Sequence, residues 1–143
     1  MEPLDDLRLL AVDYGRRRTG LALSDPEGRL ASPIGTLTCR GLDDLAARVA
    51  ERAAEVEAGG VVIGFPRHLD GRPGDLAPEV QGLAERLRSR GLRTILWDER
   101  LTSWEAETKL REAGRSIRGT RMRVDAAAAA ILLQSYLDSL RTG

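Results

Sequence analysis

The apolar pattern of this 143-residue chain changes period once, near residue 40, and that change limits the possible folds more than any other feature. Before it, three short strand-like segments follow one another with only turns between them. The first is the apolar run at residues 7–12, which ends at Asp13; Gly15 then marks a turn over residues 14–18. A second strand is expected at residues 19–24. The strong turn signal Asp25-Pro26-Glu27-Gly28 leads into a third, at about residues 29–37. Strands joined this tightly form an antiparallel meander.

After residue 40 the pattern becomes helical. Leu42, Leu45, Ala46, Val49, Ala50 and Ala53 recur on one face of a helix that stops at Gly59-Gly60. Val61-Val62-Ile63 reads as a short buried strand entering a loop at Gly64. A helix is expected at residues 75–90 with Gly91 as its stop, then a strand at residues 93–97 ending at Asp98-Glu99. A third helix should start near Thr102, where Thr102 and Glu105 have capping-box spacing. A last helix is expected at about residues 122–140. The order β-β-β-α-β-α-β-α-α implies an α/β fold, a mixed five-stranded sheet flanked by helices, in one domain spanning residues 1–143.

Composition excludes several classes. Lysine plus arginine and aspartate plus glutamate both number 22, so a globally basic nucleic-acid binder is not indicated. Arginine nonetheless clusters, as Arg16-Arg17-Arg18 and as Arg115, Arg118, Arg121 and Arg123, while Lys109 is the only lysine. Guanidinium forks match phosphate geometry, which makes both clusters candidate contacts to a nucleic-acid backbone. Cys39 is the only cysteine, which rules out an intramolecular disulfide framework or a multi-cysteine metal site. The start of the chain is acidic, unlike a secretion signal, and the longest apolar run, at residues 126–133, is too short to cross a bilayer. A soluble, cytoplasmic protein without membrane contact is expected.

Chemistry enters with the placement of three carboxylates. Asp13 ends the first strand, Glu99 follows the fifth, and Asp125 lies near the start of the last helix. If the first and fourth strands adjoin and the fifth flanks the fourth, Asp13 and Glu99 share the rim of the sheet where ligands gather. Asp125 is in phase with Ala129, Leu132 and Tyr136, the apolar stripe of its helix, so a partner is needed for its charge. Mg²⁺ or Mn²⁺, which take carboxylate oxygens, water and phosphate oxygens, would serve. Two such ions roughly 4 Å apart could align a water and stabilise a leaving oxygen in phosphodiester hydrolysis. Each carboxylate also has a structural reading: a turn or cap residue for Asp13, a salt bridge to Arg100 or another neighbouring arginine for Glu99, the helix dipole or Arg121 for Asp125.

The residues themselves then become familiar. Leu10-Ala11-Val12-Asp13-Tyr14-Gly15-Arg16-Arg17-Arg18-Thr19-Gly20-Leu21-Ala22 resembles the opening motif of the YqgF/RuvX family. Val62-Ile63-Gly64-Phe65-Pro66 with Asp70-Gly71 resembles its Gly-x-Pro loop. Trp97-Asp98-Glu99-Arg100-Leu101-Thr102-Ser103 is similar to its Asp-Glu-Arg-Leu-Thr motif, and Val124-Asp125-Ala126-Ala127-Ala128-Ala129 to its C-terminal helix. Members are described as Holliday-junction resolvases and as pre-16S rRNA nucleases. The resemblance spans nearly the whole chain. It implies an RNase H-like fold, Asp13, Glu99 and Asp125 as catalytic, metal-holding carboxylates, and Arg17, Arg18 and Arg100 as basic residues on the substrate. The middle loop departs from the pattern, reading Arg67-His68-Leu69 where many relatives are more neutral.

Further expectations concern the surroundings of this set. Gly64 and Pro66 shape a loop that backbone phosphate can approach, and Thr102 and Ser103 can donate to substrate oxygens, Thr102 serving equally as a helix cap. Arg121 joins the candidate substrate contacts. Asp98 should project away from Glu99, Asp70 belongs to a turn, His68 is a solvated loop residue, and Trp97 and Trp104 are core or interface residues. The function expected is a metal-dependent endonuclease acting on branched DNA or precursor rRNA, as a homodimer if it cuts a four-way junction symmetrically. Two alternatives compete. A non-catalytic nucleic-acid-binding module would not need the intact carboxylate set, and an actin-like nucleotide hydrolase would need a second domain.

Overall fold

The computed structural model describes residues 8–102, 104–112 and 124–142, and for residues 104, 124, 125 and 142 the backbone alone. The meander consists of β1 (Leu9–Asp13), β2 (Thr19–Ser24) and β3 (Ala31–Leu37). Helix α1 (Leu42–Glu55), β4 (Gly60–Phe65), α2 (Ala77–Ser89) and β5 (Arg93–Asp98) follow. A 3₁₀ turn (Glu99–Leu101) precedes α3 (Trp104–Glu112), and α4 (Val124–Thr142) ends the described chain. The element order agrees with the sequence reading.

The sheet runs β3-β2-β1-β4-β5. Pairing is antiparallel within the meander and parallel for β1 with β4 and β4 with β5. The condition on which the shared rim depended is therefore met: β1 and β4 adjoin and β5 flanks β4. Strand β4 also runs two residues further than expected, because Gly64 and Phe65 pair with Trp97 and Asp98 of β5.

Each face of the sheet carries its own core, as strand alternation requires. Leu10, Val12, Val61 and Ile63 meet Leu45 and Val49 of α1 and Val80 and Leu83 of α2. Leu9, Ala11 and Val62 meet Ala129 and Leu133 of α4 and Leu110 of α3. The alanines of α4 have a packing role: Ala126, Ala127, Ala129 and Ala130 are all buried, and their small side chains let a helix lie close on the sheet.

Polar anchors fix the middle of α4. Fully buried Gln134 accepts from the Ala31 amide at 3.0 Å and donates to the Arg29 carbonyl at 2.8 Å. A buried amide left without partners would cost roughly 1–3 kcal/mol, so these bonds select one helix position. Ser135 donates to the Leu101 carbonyl at 2.7 Å and accepts from Trp97 Nε1 at 3.2 Å. Trp97 also meets Tyr136 edge to face, with ring centroids 5.1 Å apart. Both bonds tie α4 to the end of β5 and the turn after it. No helix among the described residues is long and apolar enough to cross a membrane.

Candidate active site

Strand alternation decides which side chains meet. On β1, Ala11 packs on the α4 side and Val12 on the α1/α2 side, so Asp13 falls on the α4 side and Tyr14 opposite. On β4 the same alternation puts Gly64 on the α4 side, between Ile63 and Phe65 of the other core. Asp13 and Gly64 each lie one residue past the Val12–Ile63 pair, and Gly64 pairs with Trp97. Three strand ends thus finish at one level.

The chain leaves β5 through a cap. The Asp98 carboxylate accepts from the Arg100 amide at 2.8 Å and opens the 3₁₀ turn, while Thr102 closes it by donating its hydroxyl to the Glu99 carbonyl at 2.7 Å. Thr102 therefore completes this turn, and α3 begins only at Trp104. Glu99 is carried to the α4 side and lies over Gly64. A Cβ on Gly64 would stand 2.9 Å from Glu99 Oε1 and 3.2 Å from Leu132 Cδ2. The absent side chain makes the space that the carboxylate fills. Sequence reasoning had Gly64 opening the loop to phosphate; the structure shows it admitting Glu99.

Asp13, Glu99, Thr102, Ala128, Ile131 and Leu132 line one open cleft of ≈ 350 Å³. The two neighbouring carboxylates of the Asp98-Glu99 pair have opposite environments. Asp98 holds Arg100 through both its oxygens, at 2.8–3.2 Å, and Arg67 at 3.4 Å. The Arg100 hydrogen bond, above all, keeps its carboxyl below the usual aspartate range. Glu99 has no hydrogen bond or ion pair to its carboxylate among the described residues. Burial, and then the charge of Asp98, push its pKa up. The Glu99–Arg100 salt bridge that sequence allowed is not formed, because Arg100 is engaged on the other face.

The arginine triplet divides as well. Glu79, in the first turn of α2, accepts from Tyr14 Oη at 2.6 Å and binds Arg16 through both oxygens, at 2.7–3.2 Å. Burial and then this bond push the Tyr14 phenol up to about 12, so it stays a donor. Arg17 and Arg18 are exposed, and Arg17 has no acidic partner among the described residues. With Tyr14, Arg16 and Glu79, Arg17 lines a second cavity of ≈ 220 Å³ beside the turn. If Arg17 contacts phosphate, as the sequence leads one to expect, Arg17→Ala should weaken nucleic-acid binding at all sequences and lower the slope of log K against log salt by about 1. Titrations at several salt concentrations that return an unchanged slope would remove Arg17 from the interface.

The remaining expected residues fall as follows. Arg100 does not line the cleft. Arg121 and Ser103 lie outside the described residues, as do the side chains of Asp125 and Trp104; the backbone of Asp125 is in the first turn of α4. Asp70 pairs with Arg72 at 2.6 Å within its turn, and His68 is exposed. Among the described residues neither Asp70 nor Asp98 joins the cleft, and no group of three potential ligands assembles there. One residue, Glu79, was missed, because it left no local signal; Gly64 was named for its loop and not for the room it makes for Glu99.

A family model settles the class. The model described as RuvX, Holliday junction resolvase, matches residues 7–139. The chain belongs to the RuvX family. Curated relatives agree: a protein of Anaeromyxobacter sp. (strain Fw109-5), named "Putative pre-16S rRNA nuclease", is 44% identical over 133 residues, 92% of this chain and 97% of the relative. One of Mycobacterium ulcerans (strain Agy99) with the same name is 40% identical, over 94% of this chain and 81% of its own. Among solved structures, Thermus thermophilus RuvC superposes with TM-score 0.66 at 16% identity, over 94% of this chain and 97% of that one. A fowlpox virus resolvase in complex with Holliday junction DNA gives 0.59 at 14% identity, over 93% and 98%. These two show the fold, which is RNase H-like. As a RuvX member the chain is a nuclease.

Proposed function

We propose that this RuvX chain is a divalent-metal-dependent endonuclease, acting as a single domain, that cuts structured nucleic acid at the Asp13–Glu99 cleft. The observation that carries this is Glu99, a half-buried carboxylate without a cationic partner among the described residues, beside Asp13 in an open cleft. Removing such a charge from water is costly, and a hard cation offsets the cost. The donors suit Mg²⁺ or Mn²⁺: carboxylate oxygens, with no sulfur or imidazole among the described lining residues. Asp13, Glu99 and Asp125 would hold the metal. Asp125 precedes Ala128 and Leu132, both lining residues, by three and seven positions on α4, which is the spacing of one helix face. When bound, the metal supplies an activated water and charge stabilisation at the scissile phosphate.

The protein's own groups do the rest. Gly64 keeps the space in which Glu99 sits, and the Asp98 cap and Thr102 hydroxyl hold the turn that presents it. Apolar Ile131 and Leu132 wall the cleft, which lowers the local dielectric around the carboxylates. Arg17, Arg18 and Arg121 take up backbone phosphates and set the register of the strand. Such contacts position a substrate without reading its bases. A four-way junction cut symmetrically needs two clefts related by a two-fold axis, hence a homodimer; a single-stranded precursor rRNA end needs one. The site of action is the cytoplasm.

The experiment is a direct comparison. The purified protein is incubated with a four-way DNA junction and with a 5′-extended 16S rRNA precursor, each with Mg²⁺, Mn²⁺ or a chelator. Cleavage of one substrate is expected with metal and none with chelator. Chelator-resistant cleavage would overturn the metal site, and ATP turnover without nucleic acid would revive the actin-like reading.

A further inference from the structure

Asp13 is the last residue of its strand, so the turn after it decides where its backbone stops and where Arg17 and Arg18 begin. That turn is built to be stiff. A side chain on Gly15 would collide with the Arg18 carbonyl, and Thr19 closes the loop onto Gly15 with bonds of 3.3 and 3.4 Å. These contacts define its shape but not its attachment to the rest of the molecule. One attachment comes from Glu79, more than sixty residues away. Its two oxygens take Tyr14 Oη at 2.6 Å and the Arg16 guanidinium at 2.7–3.2 Å.

We infer that Glu79 is a positioning residue for the nuclease reaction: from the opposite face of the sheet it clamps the turn that sets both Asp13 and the Arg17–Arg18 pair. The inference rests on the nuclease reading of the Asp13 cleft. Three features make the clamp specific. Strand alternation sends Tyr14 to the α2 face because Asp13 goes to the α4 face, so holding one fixes the other. The Arg16 fork is satisfied by both carboxylate oxygens, which constrains direction as well as distance. Neutralising Arg16 also sorts the triplet, occupying one arginine in structure and leaving Arg17 to the solvent side. Helix α2 is itself a rigid base, packed through Val80, Leu83 and Leu87 into the core.

Because Glu79 does not line the Asp13–Glu99 cleft, its loss acts there through geometry, and small misplacements of reacting groups are expensive. Glu79→Ala should lower kcat by about 10- to 100-fold with KM changed about threefold or less. Glu79→Gln, which keeps an acceptor for Tyr14, should recover part of this. The reversed pair Arg16→Glu with Glu79→Arg should be more active than either single variant, as expected if this ion pair sets the turn. Hydrogen exchange gives a readout independent of cleavage: amides of residues 14–18 should exchange about tenfold faster in Glu79→Ala, with the core of α2 unchanged. Unchanged exchange overturns the clamp whether or not any substrate is cut. Faster exchange with unaltered kcat overturns its role in the reaction. Absence of cleavage by the wild type on either substrate would count against the nuclease reading, and the exchange result would still decide the clamp.

Discussion

Asp13→Asn is expected to lower metal-dependent cleavage by about three orders of magnitude while nucleic-acid binding stays within a few-fold of wild type. The substitution is nearly isosteric, so packing at the end of β1 is kept and only the charge is lost. A ligand that contributes several kcal/mol of charge stabilisation at the transition state corresponds to about that loss, at 1.36 kcal/mol per tenfold. On the proposed reading, binding depends on Arg17 and its neighbours, which are untouched. Single-turnover cleavage and a salt-matched binding titration check both halves. Cleavage at wild-type rate would sink the assignment of this cleft as the active site.

Gly64→Ala should be the most damaging change outside the carboxylates, with an effect on activity out of proportion to that on stability. The new methyl would come within 2.9 Å of Glu99 Oε1 and 3.1 Å of its Cγ. Contacts this short force movement, and the part free to move is the glutamate side chain rather than the paired strand. Overpacking of this kind costs about 1–3 kcal/mol at most, because the neighbour can swing away. Swinging away is what matters for function: a displacement of about 1 Å costs on the order of 100-fold in rate. We therefore expect a folded protein with a slightly lowered Tm and about 100-fold less cleavage. A variant with full activity would show that the position of Glu99 over Gly64 is not needed.

The contrast between Asp98 and Glu99 shows how far sequence reasoning could reach. That the two carboxylates project to opposite faces follows from a period of two and was expected. That Arg100 belongs to Asp98 did not follow, since an arginine next to both can pair with either. The pairing was decided by the 3₁₀ turn, in which the Asp98 carboxylate caps the Arg100 amide and holds the guanidinium alongside. Thr102 illustrates the same limit: its capping-box spacing is real, but its hydroxyl donates to the preceding turn.

The sequence by itself determined the element order, the two-faced strands, the family and the carboxylates at the ends of β1 and β5. These are written in local periods and in contiguous motifs, which short-range sterics translate directly into structure. Only the tertiary structure decided the rest: that Gly64 makes room for Glu99, that among the described residues Glu99 lacks a cation while Asp98 has two, and that Glu79 holds Tyr14 and Arg16. Each of these joins residues on different strands or helices, and such partners become neighbours only after the sheet order brings them together. A glycine that matters because of a neighbour's side chain, or a glutamate that matters because of a distant turn, has no local signature to read.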